Sequence, residues 1–562
     1  MIEIQQVVHM FLAFPGGRRS ESDFSRPTSR PIDSQSTHPR SSLIKWTFLA
    51  AVIFLFSLPQ MSGAQDEQQS NDDGEARPKP NVLLIMVDDL NDWIGCMRGH
   101  PGTQTPNIDA LSREGVLFMN AHCQGPICGP SRASLLSGLY PHTTGVYQQP
   151  TKNNLEKDEE HFRGKLLPEY FAQHGYETLG VGKITHGYSE DVAFQKYGGW
   201  KDGFGPKPEG GKRFNYELPS SPYSGTQTDW GAFPERDEQM PDFRSASWAI
   251  EQLESDHEKP FFLAVGMVRP HVPFYVPEKW FEQFPLENIV LPKFYREDQN
   301  DLPELGIRIH ELPKYPNLEF LQANDDEQYR KCVQAYLACI NFVDFQIGRV
   351  LRALMTSEFA DNTIIVLCSD HGYHIGEKDR VSKHSLWEES THVPLIISLP
   401  VHRSDPREII RRNDLPVGLI DLYPTLVQLC GLPENPSNEG ESLVPLLFHP
   451  QVEGWREAIL TTYAKGNHAL RTQTHRLIRY EDGRFELYDH TSDPEEWNNL
   501  AGPAQTSRAA MEVNFELAQH LSQYFPTTEA DYHPSTSRSP VNAWFEEHLK
   551  ANGVIPAKNP DK

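Results

Sequence analysis

Positive charge is scarce in this chain. Its 562 residues carry 52 Lys and Arg against 77 Asp and Glu, a formal net charge of −25. A surface of that sign has little to offer a phosphate backbone, so nucleic acid is excluded as a partner. It also disfavours long-range steering of an anionic substrate, which a local cluster of Lys, Arg, His and metal would have to hold instead. Cysteine is sparse too: there are seven, Cys96, Cys123, Cys128, Cys332, Cys339, Cys368 and Cys430. None forms a Cys-x-x-Cys pair, so nothing points to structural zinc. Cys332 and Cys339 are seven apart in a helical stretch, the wrong geometry for bonding each other. Long apolar runs are missing as well. The run Trp46 to Phe56 falls short of the ~20 residues of a membrane span, so no stable span is expected. No internal repeat is present.

What is there begins with a targeting segment. Lys45 precedes the apolar run, and Ser62-Gly63-Ala64 follows it with small residues where a signal peptidase cuts. Cleavage is expected after Ala64, with export to the periplasm or exterior; an uncleaved anchor is the lesser alternative. Residues 1–64 are thus a disordered leader and signal peptide, and 65–79 a polar linker. Export would permit disulfides, although Cys368, in a strand-like run, fits a buried free thiol better.

Two segments share one pattern. Asn81 to Val87 is continuously apolar and ends in Asp88-Asp89; Thr363 to Cys368 ends in Ser369-Asp370-His371-Gly372. Unbroken runs of this kind are strands buried on both faces of a largely parallel sheet, whose ligands bind beyond the carboxyl ends. Pro260 to Gly266 is a third such strand, leading into Arg269-Pro270-His271. Helices are expected at Pro106 to Gly115, Leu166 to His174, and where Ile340, Val343, Ile347, Val350 and Leu354 recur at three and four. Alternation of this kind makes an α/β layered domain. Residues 201–242 are expected to be a long loop on the substrate rim. Beyond Leu432-Pro433, the segments at 458–463, 475–480 and 485–489 look like short antiparallel strands. Glu481-Asp482-Gly483 forms a turn between the last two, and Ser507 to Phe525 a covering helix. The expected division is a catalytic domain over 80–433, a C-terminal subdomain over 434–530 and a tail over 531–562. The chain after Pro526 is expected to be loosely held.

The strand ends carry chemistry. Paired carboxylates at Asp88, Asp89 and Asp370 suit a hard divalent cation, calcium or magnesium rather than zinc. His371 either ligates that cation weakly or bonds the bound anion. Cys128-Gly129-Pro130-Ser131-Arg132 opens a helix through Ala133, Leu135 and Leu136 to Gly138, with Pro130 in the first turn. A helix start favours anions, so Cys128 reads as a low-pKa thiolate nucleophile or as a structural cysteine bonded to Cys123. Arg132, one turn on, would grip oxygens in a planar fork.

That stretch, with Gly138-Leu139-Tyr140-Pro141-His142, resembles the maturation signature of the formylglycine-dependent sulfatase family. Asp88-Asp89 and Ser369-Asp370-His371-Gly372 resemble its two metal-binding strand ends. Gly182-Lys183-Ile184-Thr185-His186, Arg269-Pro270-His271-Val272-Pro273-Phe274, and Lys383 before Thr391-His392-Val393-Pro394-Leu395 resemble its other site segments. Asp89-Leu90-Asn91-Asp92 and the Lys183–His186 spacing resemble the iduronate-2-sulfatase branch of that family. The resemblance implies an alkaline-phosphatase-like fold: a layered domain with a large, mostly parallel mixed sheet between helices, then a smaller C-terminal α+β subdomain with a short antiparallel sheet. It implies that a maturation enzyme converts Cys128 to formylglycine. One divalent cation, Ca2+ before Mg2+, would sit on Asp88, Asp89, Cys128, Asp370 and His371. Catalytic roles would fall to Cys128, Arg132, Lys183, His186, His271 and Lys383. The implied substrate is a sulfated carbohydrate, the 2-O-sulfate of a uronic acid in a glycosaminoglycan-like polysaccharide. The rivals are a phosphatase or phosphodiesterase on the same scaffold, and a catalytically dead sulfated-sugar-binding protein in which Cys128 stays a thiol.

Overall fold

A computed structural model of the chain describes residues 78–149, 162, 164–186, 193–200, 203–217, 220–221, 223, 226–310, 314–323, 326–404, 411–502 and 508–530. The expected leader, signal peptide and most of the linker, and the tail beyond 530, lie outside them. No helix among the described residues is long and apolar enough to cross a membrane.

In chain order the sheet-forming strands and principal helices are β1 (Asn81–Val87), α1 (Pro106–Arg113), β2 (Val116–Phe118), α2 (Cys128–Ser137), β3 (Glu177–Gly182), β4 (Lys196–Tyr197), α3 (Pro241–Leu253), β5 (Phe261–Met267), α4 (Glu327–Thr356), β6 (Thr363–Ser369), β7 (Leu395–Ser398) and β8 (Arg412–Asn413). They make one eight-stranded sheet in the order β8-β2-β7-β6-β1-β5-β3-β4. Only β7 runs against the rest. The sheet is therefore mixed but mostly parallel, as the unbroken apolar runs required.

Alternation along β1 divides the core. Leu83, Ile85 and Val87 pack with Tyr336, Ile340, Val343 and Ile347 of α4. Val82, Leu84 and Met86 pack on the opposite face with Ala133, Leu135 and Leu136 of α2. A period of two on the strand thus feeds two separate helix layers. The stretch expected to cover the sheet, Ile340 to Leu354, is the second half of the 30-residue α4. Its first half is less regular in sequence but buries Tyr329, Cys332, Val333 and Tyr336.

The C-terminal part is a meander of β9 (Ile459–Thr462), β10 (His468–Arg471), β11 (His475–Arg479) and β12 (Phe485–Asp489), with the helix Arg508–Leu521 beyond it. The sequence pattern missed β10, whose His468 and Arg471 hide a two-residue apolar centre. Two further expectations need correction. The supposed loop at 201–242 contains a strand, Trp230–Ala232, paired in parallel with Phe274–Val276. The described chain after Pro526 is tied down: Glu529 accepts from Gly466 N–H at 3.0 Å, and Ala530 N–H donates to the His142 carbonyl at 2.7 Å. All seven cysteines are free thiols, so neither a bond from Cys128 to Cys123 nor any other pairing is present.

Candidate active site

Pairing register brings the site together. Val87 lies opposite Ser369 on one side and Met267 on the other, and Gly182 lies opposite Gly266. Four adjacent parallel strands, β6, β1, β5 and β3, therefore end at one level. They deliver Asp370-His371, Asp88-Asp89, His271 and Lys183 to the carboxyl edge, where a ligand site belongs in such a sheet. Asp89 turns left-handed, with φ of 64°, so its side chain does not point away from that of Asp88. The Tyr336 hydroxyl locks this turn by donating to the Asp89 carbonyl at 2.7 Å and accepting from Asn91 N–H at 3.1 Å. From α2, Cys128 enters the same space as the first helical residue. Lys383 arrives behind a two-stranded hairpin, His374–Ile375 with Val381–Ser382.

The contacts are direct. Cys128 Sγ lies 3.4 Å from Asp88 Oδ1 and 3.2 Å from both Lys383 Nζ and His371 Nε2. Arg132 Nε donates to Asp370 Oδ2 at 2.7 Å, and its NH2 lies 3.7 Å from Asp88 Oδ1. The Lys183 ammonium bonds Asp88, and Lys383 bonds Asp89 Oδ1 at 2.5 Å. His371 Nε2 stands 3.3 Å from Asp89 Oδ1, and His271 Nε2 3.9 Å from Asp89 Oδ2. Asp88, Asp89, Cys128, Arg132, Lys183, Asp370 and His371 are wholly buried. His186 stands half-buried at the edge, close enough to feel Lys183, Asp88 and Arg132.

Electrostatics separate these groups. Burial alone would raise Asp88, but Lys183, His271, Arg132 and Lys383 hold it well below the usual carboxylate range. Burial lifts Asp89 to about 7 against the pull of Lys383, and the charge of Asp88 adds to the rise. Burial, then the charges of Lys183 and Arg132, push His186 well below the ordinary imidazole range. Burial and Lys383 do the same to His271. The Cys128 thiol is raised by burial and by Asp88, which outweigh Lys183 and Lys383. Burial and the neighbouring carboxylate thus act against the low-pKa thiolate that the helix start suggested.

The donor set fits a divalent cation. Ligand atoms of Asp88, Cys128, Asp370 and His371 all lie within 4.8 Å of one another, as do those of Asp88, Asp89, Cys128 and His271. Asp89 Oδ2 is buried with no hydrogen-bond partner among the described residues. His371 Nδ1 lies 2.9 Å from the Gly372 carbonyl, to which it must donate, and this turns the Nε2 lone pair of the neutral ring toward the carboxylates. Carboxylate-rich sites favour calcium or magnesium.

Two aromatic residues complete the walls, and the sequence pattern missed both. Phe204 stacks on His271 with ring centroids 4.1 Å apart and planes at 13°. Phe204 and Trp200 lie 4.8 and 5.9 Å from the Lys183 ammonium. Their sequence signal is faint, two aromatics among glycines at the start of the supposed loop.

Fold and site together define an alkaline-phosphatase-like hydrolase. The family model described as Sulfatase matches residues 80–432, and that described as N-sulphoglucosamine sulphohydrolase, C-terminal, matches 376–523. A sulfatase of Formosa agariphila is 45% identical over 492 residues, covering 85% of this chain and 92% of its own length. The iduronate 2-sulfatase of Mus musculus is 33% identical over 405 residues, covering 63% of this chain and 69% of its own. A solved structure in complex with its substrate D-glucosamine-2-N,6-O-disulfate superposes with a TM-score of 0.60 at 23% identity, over 79% of this chain and 98% of that one. This chain belongs to the sulfatase family and is a sulfuric ester hydrolase.

Proposed function

We propose that the enzyme hydrolyses sulfate esters on sugars, specifically the 2-O-sulfate of uronic acid residues in glycosaminoglycan-like polysaccharides. The single observation that carries the ester chemistry is Cys128 Sγ, lying amid Asp88, His371 and Lys383 at the carboxyl edge of the sheet. The 33% identity to an iduronate 2-sulfatase favours the uronate. Asp88, Asp89, Asp370 and His371 would hold calcium, and a maturation enzyme would convert Cys128 to formylglycine. Once in place, the cation supplies positive charge at a sulfate oxygen, and the hydrated aldehyde supplies an oxygen nucleophile.

The chain's own residues supply the rest. Arg132 holds Asp370 through its Nε bond at 2.7 Å, and its NH2 lends positive charge to Asp88 from 3.7 Å. The three carboxylates Asp88, Asp89 and Asp370 are matched by Arg132, Lys183 and Lys383. A divalent cation therefore leaves the pocket positive, the sign a sulfate ester requires. Lys183, just after β3, and Lys383, just after the hairpin strand Val381–Ser382, would take up charge on the sulfate oxygens. His271 donates from Nδ1 to the Val272 carbonyl, 2.6 Å away, which leaves Nε2 facing the pocket. Burial, then Lys383, hold His271 neutral, so the Lys383 ammonium would supply the proton that reaches the leaving alcohol oxygen, directly or through His271 Nε2. His186, held neutral, accepts a proton from the residue-128 side. Phe204 and Trp200 exclude water from Lys183.

Mass spectrometry tests this reading. The peptide containing residue 128, from protein made with its maturation enzyme, is expected to carry an aldehyde rather than a thiol. The intact mass also reads the proposed cleavage after Ala64. Cys128→Ala is expected to lose at least ~1,000-fold in kcat on a 2-O-sulfated uronate, since nucleophile and general acid-base assistance go together. An unmodified thiol in fully active enzyme, or hydrolysis of phosphate esters in preference to sulfate esters, would sink the proposal.

A further inference from the structure

Three positions before Lys383 lies an arginine that the reaction above does not use. Arg380 is 5% exposed. It forms no ion pair among the described residues, and its Nε is buried with no hydrogen-bond partner there. Among the described residues its guanidinium makes one bond, from NH2 to Ser382 Oγ at a long 3.4 Å. Among the described residues, the groups whose charge it feels most are Tyr315, Tyr463 and Tyr373, followed by the Asp379 next to it in sequence. Asp379 is occupied elsewhere, accepting from Leu318 N–H at 2.6 Å. A buried cation with nothing to neutralise it is costly, and it persists where a ligand supplies the missing charge.

The surroundings show where such a ligand would enter. Tyr315 lies 5.8 Å from the Arg380 guanidinium and 5.9 Å from the His384 ring, to which it is stacked at 27°. His384 Nδ1 lies 3.4 Å from the Tyr463 hydroxyl. Tyr315 and His384 are half-buried, whereas Arg380 and Tyr463 are buried. Tyr315 is close enough to Lys383 and Asp89 to feel both charges, and His384 adjoins Lys383 and feels His371. This half-buried cluster therefore adjoins the ester-cleaving centre. Its half-buried aromatic faces suit a sugar ring, and the buried planar fork of Arg380 suits a planar anion.

We propose that Arg380, beside Tyr315 and next to His384, forms a subsite for a second anionic group of the sulfated sugar, distinct from the ester that is cleaved. This rests on the sugar sulfatase reading and names its specificity element. A uronic acid carboxylate matches the fork in a bidentate manner, and a second sulfate presents the same charge.

The test compares discrimination, using enzyme made with its maturation enzyme. Three substrates serve: a 2-O-sulfated uronate disaccharide, its carboxyl-reduced counterpart, and a disulfated hexosamine. In Arg380→Gln the preference for a doubly anionic substrate over the carboxyl-reduced one, as a ratio of kcat/KM, is expected to fall at least ~10-fold, and Arg380→Lys to lose less. A fall confined to the uronate assigns the carboxylate, and one confined to the disulfated hexosamine assigns a second sulfate; either supports the subsite. An unchanged ratio in both variants overturns it. Thermal unfolding gives an independent readout. Arg380→Met, free of ligand, is expected to melt no lower than the parent, because it removes an unpaired buried charge; a large drop marks a structural arginine and overturns the proposal. Calorimetric binding of the uronate disaccharide to Cys128→Ala, with and without Arg380→Gln, keeps the two readings apart. Parent enzyme that cleaves no sulfate ester refutes the function, while the subsite stands or falls on the binding difference.

Discussion

At the scale of single residues, this site depends on pairs of groups pushed in opposite directions. Asp88 and Asp89 are neighbours in sequence, yet one is held well below the usual range and the other is lifted to about 7. The difference lies in partners: Lys183, His271, Arg132 and Lys383 all act on Asp88, whereas Asp89 has Lys383 and the repulsion of Asp88. The same logic makes His186 and His271 neutral imidazoles. Phe204 is the residue whose role is least visible in sequence, because one ring serves both His271 and Lys183. Phe204→Ala is expected to lower kcat/KM by about 5- to 10-fold, the worth of one stacked and one cation–π contact. Steady-state kinetics on a sulfated sugar, with circular dichroism as a fold control, checks this; an unchanged kcat/KM would remove the wall from the argument.

At the scale of elements, the site depends on how closely β3 and β5 approach. Gly182, at φ of 77°, and Gly266 lie against each other, and a Cβ on Gly266 would run into the backbone of Lys183. Gly266→Ala is expected to cost about 1–3 kcal/mol in denaturant unfolding, as overpacking does, and to impair turnover by shifting Lys183. Parent-like stability and rate together would show that the strands have slack. A second junction joins α4 to α1. Asp344 accepts from Ile108 N–H at 2.8 Å and from the Asn107 side chain at 2.7 Å, so one helix caps the start of another. Burial raises its carboxyl to about 6, against the hydrogen bonds of Ile108 and Asn107. A folded-state value above the unfolded one means that protonation favours the fold. This contribution is full below about pH 4 and vanishes as pH rises through 6. Relative to Asp344→Asn, which does not titrate, the parent is expected to lose about 1 kcal/mol between pH 5 and 7.5. Denaturation curves at both pH values read it, and a flat difference would contradict the shift.

At the scale of the whole molecule, three carboxylates converge from strands that are 281 residues apart where Asp89 N–H meets Asp370 Oδ1. A cation that binds only this assembled state stabilises the fold by mass action, by about 2.7 kcal/mol at a hundredfold excess over Kd. Chelation is therefore expected to lower the melting temperature together with activity. Calcium is expected to restore both better than magnesium at equal concentration. Differential scanning calorimetry with parallel rate measurement tests this, and a melting temperature indifferent to chelator would argue against a resident cation.

The sequence by itself determined the strands that carry the site. Three unbroken apolar runs ending in Asp-Asp, Asp-His and Arg-Pro-His declare buried parallel strands and the edge they feed, because hydrophobic continuity and a terminal carboxylate are local properties. Cys128 with Pro130 declares its helix for the same reason. Local pattern did not fix the charge state of the thiol, the wall made by Trp200 and Phe204, the short strands at Trp230–Ala232 and His468–Arg471, or the burial of Arg380 without an ion-pair partner among the described residues. Each is set by neighbours far away in the chain: desolvation and Coulomb interaction depend on distance in space, and a strand of three or four residues exists only because a partner lies beside it. Tertiary structure alone decided which of the many acids, lysines and aromatics of this acidic chain face one another.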